Sequence, residues 1–276
     1  MRLNAKQSLA LDYLEDQITT ELLYGGGAGG GKSILGAYWL TKMAYKYAES
    51  RWIMGRASMK TLKETTYLSF LKVAKMQGLK SEVHFTITSA QHKEYPNSIL
   101  FPNKSVILMK DLEYYPADPE FDELGSLEIT GAFIDEANQV TTKAKQIVAS
   151  RMRHNISLYG IQPKMLMTCN PAKNWVYQDY YKPFRDNTLP TYRKFVQALV
   201  EDNPDIDPSY KENLLKLDNN SKQRLLYGNW EYDDDPASLI SFDKIIDCFT
   251  NTFVAKGQRY ITVDVARFGN DKTVIG

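Results

Sequence analysis

The stretch Gly25-Gly26-Gly27-Ala28-Gly29-Gly30-Gly31-Lys32-Ser33 does more than any other to limit what this chain can become. A turn this rich in glycine has little shape of its own and takes its geometry from its flanks. Upstream lies Glu21-Leu22-Leu23-Tyr24, an apolar run of strand length. Downstream, from Lys32 to about Glu49, Leu35, Trp39, Met43 and Tyr47 recur every fourth residue, which predicts a helix. Strand, glycine loop and helix open a parallel α/β unit. Residues Gly26 to Ser33 also satisfy G-x-x-x-x-G-K-[ST] at every fixed position. Glycines allow positive φ, so backbone N–H groups turn inward around an anion, and the helix start adds unpaired N–H groups and its positive dipole end. Lys32 is placed to reach the β- and γ-phosphates of a nucleotide, and the Ser33 hydroxyl to bind Mg²⁺.

The alternation continues. Residues 51–55, 83–88, 99–101, 106–109, 132–134, 165–168 and 194–200 read as strands, the third and fourth joined through Pro102-Asn103-Lys104. Leu3 to Gln17, Met59 to Met76 and Thr142 to Arg153 read as helices, the first with Asn4 or Ser8 as cap. Strands alternating with helices predict an α/β fold with a mostly parallel sheet covered on both faces. After Tyr181 the composition shifts, with Pro183, Pro190, Pro204 and Pro208 ahead of a helical stretch, Tyr210 to Leu226. The expected organisation is a core over residues 1–181, a lid-like subdomain over 182–232, an acidic linker over 233–258, and a fresh strand within 259–276.

Composition narrows the function classes. Lys+Arg number 34 against Asp+Glu 33, a net charge of +1, so any nucleic-acid surface is a local patch. Two cysteines give neither a disulfide framework nor a zinc module. No apolar run approaches the ~20 residues that span a bilayer, so no membrane role is expected.

Three further segments carry chemistry. Gly131-Ala132-Phe133-Ile134-Asp135-Glu136-Ala137 is an apolar strand ending in two carboxylates. Ligands of open α/β sheets bind at the carboxyl ends of strands, where these acids meet the phosphate loop. Asp135 is expected to bind Mg²⁺ through water and Glu136 to polarise the attacking water. An Asp-Glu pair favours a hydrolase with its own base, and the lack of an Asn-Lys-x-Asp string favours ATP over GTP. Met165-Leu166-Met167-Thr168-Cys169-Asn170-Pro171 is a third apolar strand, whose Thr168 and Asn170 are candidates to sense the γ-phosphate. Gln7, on the first helix, is a candidate to read the adenine edge through its amide.

Taken in order, Gln7, GGAGGGKS, FIDEA, SRMR at Ser150 to Arg153, and TCNP followed by Trp175 resemble the large terminase subunit of tailed bacteriophages, the viral DNA-packaging motor. The resemblance spans the chain. It implies an additional-strand (ASCE) P-loop ATPase with a lid subdomain, followed by a ribonuclease H-like nuclease. Lys32 and Ser33 become the Walker A pair, Asp135 and Glu136 the Walker B pair, and Thr168 to Asn170 the coupling motif. The cofactors implied are ATP with Mg²⁺, and Mg²⁺ or Mn²⁺ at the nuclease. The partners implied are double-stranded DNA, the portal protein, the small terminase subunit and further copies in a ring docked on the procapsid, in the cytoplasm of the infected bacterium. The family also uses an arginine in the transition state, in cis or in trans. Arg56, Arg151 and Arg153 are the candidates here, because the loop itself holds none.

The terminal strand Tyr260 to Val265 resembles the first strand of the nuclease, with Asp264 as its first metal-binding carboxylate and Asp271 a weaker candidate. Two-metal cleavage needs several carboxylates around ions ~3.5–4 Å apart, which one strand cannot supply. The chain is therefore expected to hydrolyse ATP without cutting DNA, as a piece of a longer protein. A helicase or recombination-type DNA-dependent ATPase is the alternative enzyme, and an assembly protein holding ATP as a structural ligand the alternative class.

Overall fold

The structure, a computed structural model, describes residues 1–115, 117–232, 257–258, 261, 263–264 and 274–275. Helix α1 (Ala5–Glu15) precedes β1 (Glu21–Gly26), the glycine loop and α2 (Lys32–Lys46). Next comes β2 (Arg51–Arg56), then α3 (Met59–Thr61), which passes through a π turn at Leu62–Thr66 into α4 (Tyr67–Met76). β3 (Thr86–Ile87), β4 (Ser98–Leu100) and β5 (Val106–Asp111) lead to α5 (Asp122–Gly125), β6 (Gly131–Ile134), α6 (Thr142–Ser150), α7 (Ile156–Tyr159) and β7 (Lys164–Cys169). A π turn at Tyr177–Tyr181 runs into α8 (Lys182–Arg185), followed by β8 (Arg193–Ala198), α9 (Pro208–Leu215), α10 (Asn219–Ser221) and a π turn at Lys222–Leu226. These elements lie in one compact unit, Met1–Asp233.

Eight strands form one sheet in the order β3-β4-β5-β2-β6-β7-β1-β8. The six from β5 to β8 are parallel, and β3 and β4 add an antiparallel edge. Strand β7 is inserted between the phosphate-loop strand β1 and the acid-bearing strand β6, which is the additional-strand arrangement. Because side chains alternate across a strand, each strand feeds two cores. Leu22, Tyr24, Met54 and Phe133 join α1, α2 and α4 on one face. Leu23, Ile53, Ala132 and Ile134 join α5, α6 and the 177–181 turn on the other. Cover on both faces explains why the central strands are apolar at nearly every position.

Several expectations are refined. The strand expected over 83–88 shrinks to Thr86–Ile87, because His84 N–H closes a turn onto the Lys80 carbonyl. The helix expected to reach Arg153 ends at Ser150. The helical stretch 210–226 is broken, with Asp218 capping a new start by accepting from the Ser221 N–H. β8 lies within residues 182–232 yet pairs with β1 as a strand of the central sheet.

At the start of β1, Glu21 holds the sheet to its cover. It accepts from Lys145 of α6, from the Tyr180 hydroxyl at 2.6 Å and from Arg193 Nε at 2.8 Å. Burial alone raises this carboxyl, but Lys145, Tyr180 and Arg193 outweigh it and hold it below the ordinary 4.5. Removing one member of a buried ion cluster leaves the others uncompensated, at a cost of ~3 kcal/mol. Glu21→Gln should therefore lower the urea midpoint by the equivalent of ~3 kcal/mol. A midpoint unchanged from wild type would contradict that account.

In the second unit, 234–276, β9 (Val263–Asp264) pairs antiparallel with β10 (Val274–Ile275), with Val274 opposite Asp264. Asp264 thus ends a strand, and Asp271 lies outside the described residues, as does nearly all of the expected linker. Among the described residues no helix is long and apolar enough to cross a membrane.

Candidate active site

Parallel strands β1, β6 and β7 all end on the same edge of the sheet, which brings three distant segments together. The phosphate loop leaves β1 at Gly26, whose φ of +147° sets its α-carbon against the next strand, so that an added Cβ would collide with the Ala198 carbonyl oxygen. It enters α2 at Gly31, with φ +73° and no side-chain cap. The first N–H groups of this 15-residue helix consequently face the loop without partners from a cap. Ala28 to Ser33 line a cavity of about 670 Å³ together with Gln7, Glu136 and Asn170. That is within the ~300–1,000 Å³ of small-molecule sites.

Lys32 is buried and folded into the loop. Its ammonium donates to the carbonyls of Gly26 and Gly27 and to Asn170 Oδ1 at 3.0 Å. Burial lowers its pKa, and the charges of Glu136 and Asp135 work against that. All three donors are spent on neutral oxygens. A phosphate arriving in the cradle exchanges these dipoles for full negative charge.

Asp135, only 1% exposed, is held by hydroxyls from three elements. Ser33 Oγ lies 3.2 Å and Thr168 Oγ1 2.5 Å from Oδ1, and Thr66 Oγ1 lies 2.7 Å from Oδ2. Arg56 Nη1 stands 3.8 Å from the same Oδ2 while donating to the Thr65 hydroxyl. Ser33 and Asp135 fit a Mg²⁺ site, since this ion takes one or two carboxylates with waters and substrate phosphates rather than an all-protein cage. Among the described residues no group of three or more His, Cys, Asp or Glu side chains could hold a metal ion by itself.

Glu136 follows in a left-handed conformation, φ +52° and ψ +49°, which costs an L-residue about 1–2 kcal/mol. The turn aims successive side chains differently, so that Asp135 stays behind the loop while Glu136 lines the cavity. Burial and the neighbouring Asp135 raise the Glu136 carboxyl above its usual value, with Lys32, Arg56 and Arg224 opposing them. Strained backbone and a raised carboxyl at a cavity wall make Glu136 a candidate functional residue.

Gln7 is braced rather than free. Its Oε1 accepts from the Asn4 N–H in a capping box, and its Nε2 donates to the Gly31 carbonyl at 3.0 Å. One N–H and one lone pair remain, enough for a paired contact with a base edge. Of the three candidate arginines, only Arg56 is at the site. Arg151 donates to the Gly125 carbonyl and Arg153 pairs with Glu128 at the surface. Both adjoin the bridge between Ile129 and Met152, before β6 begins, at the end of that strand away from Asp135. Within one copy of the chain neither lines the cavity, so a role for either would have to be supplied to a neighbouring copy. The sequence reading also missed Thr66, Asn203 and Arg224. Asn203 Nδ2 donates to the Gly29 carbonyl at 2.7 Å. None belongs to a motif, although two adjacent threonines inside an amphipathic helix at Thr65-Thr66 were a visible irregularity.

Comparisons with known proteins bear on the fold and the family. Among curated proteins none matches the chain. Among solved structures, the large terminase of a thermophilic bacteriophage in complex with ADP superposes with a TM-score of 0.64 at 16% identity, over 83% of this chain and 54% of that one. The Thermus phage P74-26 large terminase ATPase domain gives 0.55 at 11% identity, over 83% of this chain and 94% of that one. At these identities the likeness establishes the fold, that of a terminase ATPase domain, and this chain spans about half the length of the ADP-bound terminase. A family model described as terminase large subunit, T4likevirus-type, N-terminal matches residues 23–246. The glycine cradle, the inserted strand and that match lead to one conclusion: the chain belongs to the large terminase subunit family.

Proposed function

We propose that the chain is the ATP-hydrolysing motor portion of a phage DNA-packaging enzyme. The observation that carries this reading is the meeting of Lys32, Ser33, Glu136 and Asn170 at one cavity, with Asp135 directly behind. The chain's own groups divide the work. The loop N–H groups and Lys32 hold the β- and γ-phosphates, and Asn170 watches the γ-phosphate from the end of β7. Glu136 takes a proton from water as that water attacks the γ-phosphorus, the bond from that phosphorus to the β,γ-bridging oxygen breaks, and ADP and phosphate are released. Ser33 and Asp135 would hold Mg²⁺, which would supply positive charge to the phosphate oxygens. Gln7 reads adenine with the N–H and lone pair it has left, and Arg56 stabilises charge from the β2 side.

In this reading the part of residues 182–232 that follows β8 acts as a lid, 233–258 as a linker, and 259–276 open a ribonuclease H-like nuclease in which Asp264 is the first metal ligand. Several copies form a ring on the portal of a procapsid in the host cytoplasm, supplied with DNA by the small terminase subunit. DNA is gripped through its phosphates, independently of sequence. Steady-state phosphate release from Mg²⁺-ATP, with and without double-stranded DNA, tests the proposal. Turnover should rise with DNA, and the rise should fade steeply between 50 and about 200 mM salt. Absence of turnover under both conditions overturns it.

A further inference from the structure

We propose that Arg224 is a positioning residue that ties the segment 208–226 to the nucleotide state of the site; this rests on the functional reading above. The π turn at Lys222–Leu226 touches the site at two points. Arg224 Nε donates to the Pro171 carbonyl at 2.7 Å, immediately after Asn170. The next residue, Leu225, accepts the Ala28 N–H of the phosphate loop at 2.7 Å through its carbonyl. Just beyond, the Gly228 carbonyl takes Gln197 Nε2 at 2.8 Å, holding the turn to the end of β8. π turns of this kind recur at functional sites, where they re-aim side chains within a helix.

A continuous polar path results: Lys32 to Asn170, along the backbone to Pro171, and across to Arg224. Lys32 leaves the Asn170 amide when it turns to phosphate, which frees the 168–171 strand end to move. Arg224 follows that carbonyl and carries the turn with it. A charged donor suits this role, because a hydrogen bond from an ionised group is about twice as strong as a neutral one. It also survives partial exposure.

Hydrogen exchange with and without Mg²⁺-ATPγS, on wild type, Arg224→Met and Arg224→Lys, tests this. In wild type the nucleotide should slow exchange both in the phosphate loop and in residues 208–226. In Arg224→Met the loop should still respond while 208–226 no longer does. DNA-stimulated kcat should fall about tenfold, the scale of losing one hydrogen bond to a charged group, with the KM for ATP little changed. Arg224→Lys keeps the charge and should fall between the two. Loop protection in wild type without any response in 208–226 overturns the inference alone. An unprotected loop overturns the functional reading as well. Equal loosening of 208–226 with and without nucleotide, its response intact, means Arg224 merely props the fold and also sinks the proposal.

Discussion

Lys32→Ala abolishes ATP turnover: phosphate release should fall at least ~10³-fold, to background, in a chain that still melts cooperatively. The expectation follows from how the ammonium is stored. It is buried in the loop, with every proton committed to Gly26, Gly27 and Asn170. Without it, the carbonyl oxygens of Gly26 and Gly27 lose the ammonium that they hold, and the loop loses its buried positive charge. Charge developing on the γ-phosphate oxygens also loses its nearest cation. Arg56 does not replace it, being turned toward Asp135 and Thr65. Phosphate release and a thermal melt on the same preparation check the point. Wild-type turnover in a folded variant would remove Lys32 from the mechanism.

The second large effect is a separation of binding from chemistry. Glu136→Gln should bind ATP at least as tightly as wild type and hydrolyse it ~10²-fold more slowly, the scale of losing a positioned base. The amide keeps the shape of the side chain, so the left-handed turn at φ +52° and the cavity wall persist. It removes a carboxylate whose ionisation burial and Asp135 already oppose. Loss of that charge from a wall facing a polyphosphate favours binding even as it removes the proton acceptor. Equilibrium binding of a fluorescent ATP analogue, followed by single-turnover hydrolysis, reads the two effects separately. Equal loss of binding and rate would make Glu136 a structural residue.

These predictions rest on residues that the chain announces locally. Lys32 and Ser33 are legible because a phosphate cradle needs glycine, a helix start and a cation at fixed spacing, and the constraint lies within eight residues. Asp135 and Glu136 are legible because an apolar strand must end in something polar where the sheet opens to a ligand. Arg56 is a weaker case. It ends a strand on the ligand edge, but nothing in Met54-Gly55-Arg56 separates it from Arg151 or Arg153. Only the register of β2 against β6 does so, setting Gly55 opposite Ile134 and leaving Arg56 alongside Asp135. Arg151 and Arg153 adjoin the opposite end of β6.

The chain by itself determined the α/β class, the phosphate loop, the paired acids and the family they resemble, since each is written in short-range periodicity and spacing. The tertiary structure alone decided that Thr66 and Thr168 hold Asp135, that Gln7 braces Gly31, that β7 lies between β1 and β6, and that Arg224 reaches Pro171. The physical reason is distance along the chain. A hydrogen bond between residues 53 apart, as for Arg224 and Pro171, leaves no local pattern. It exists only once the strand order and helix packing have brought the two elements together.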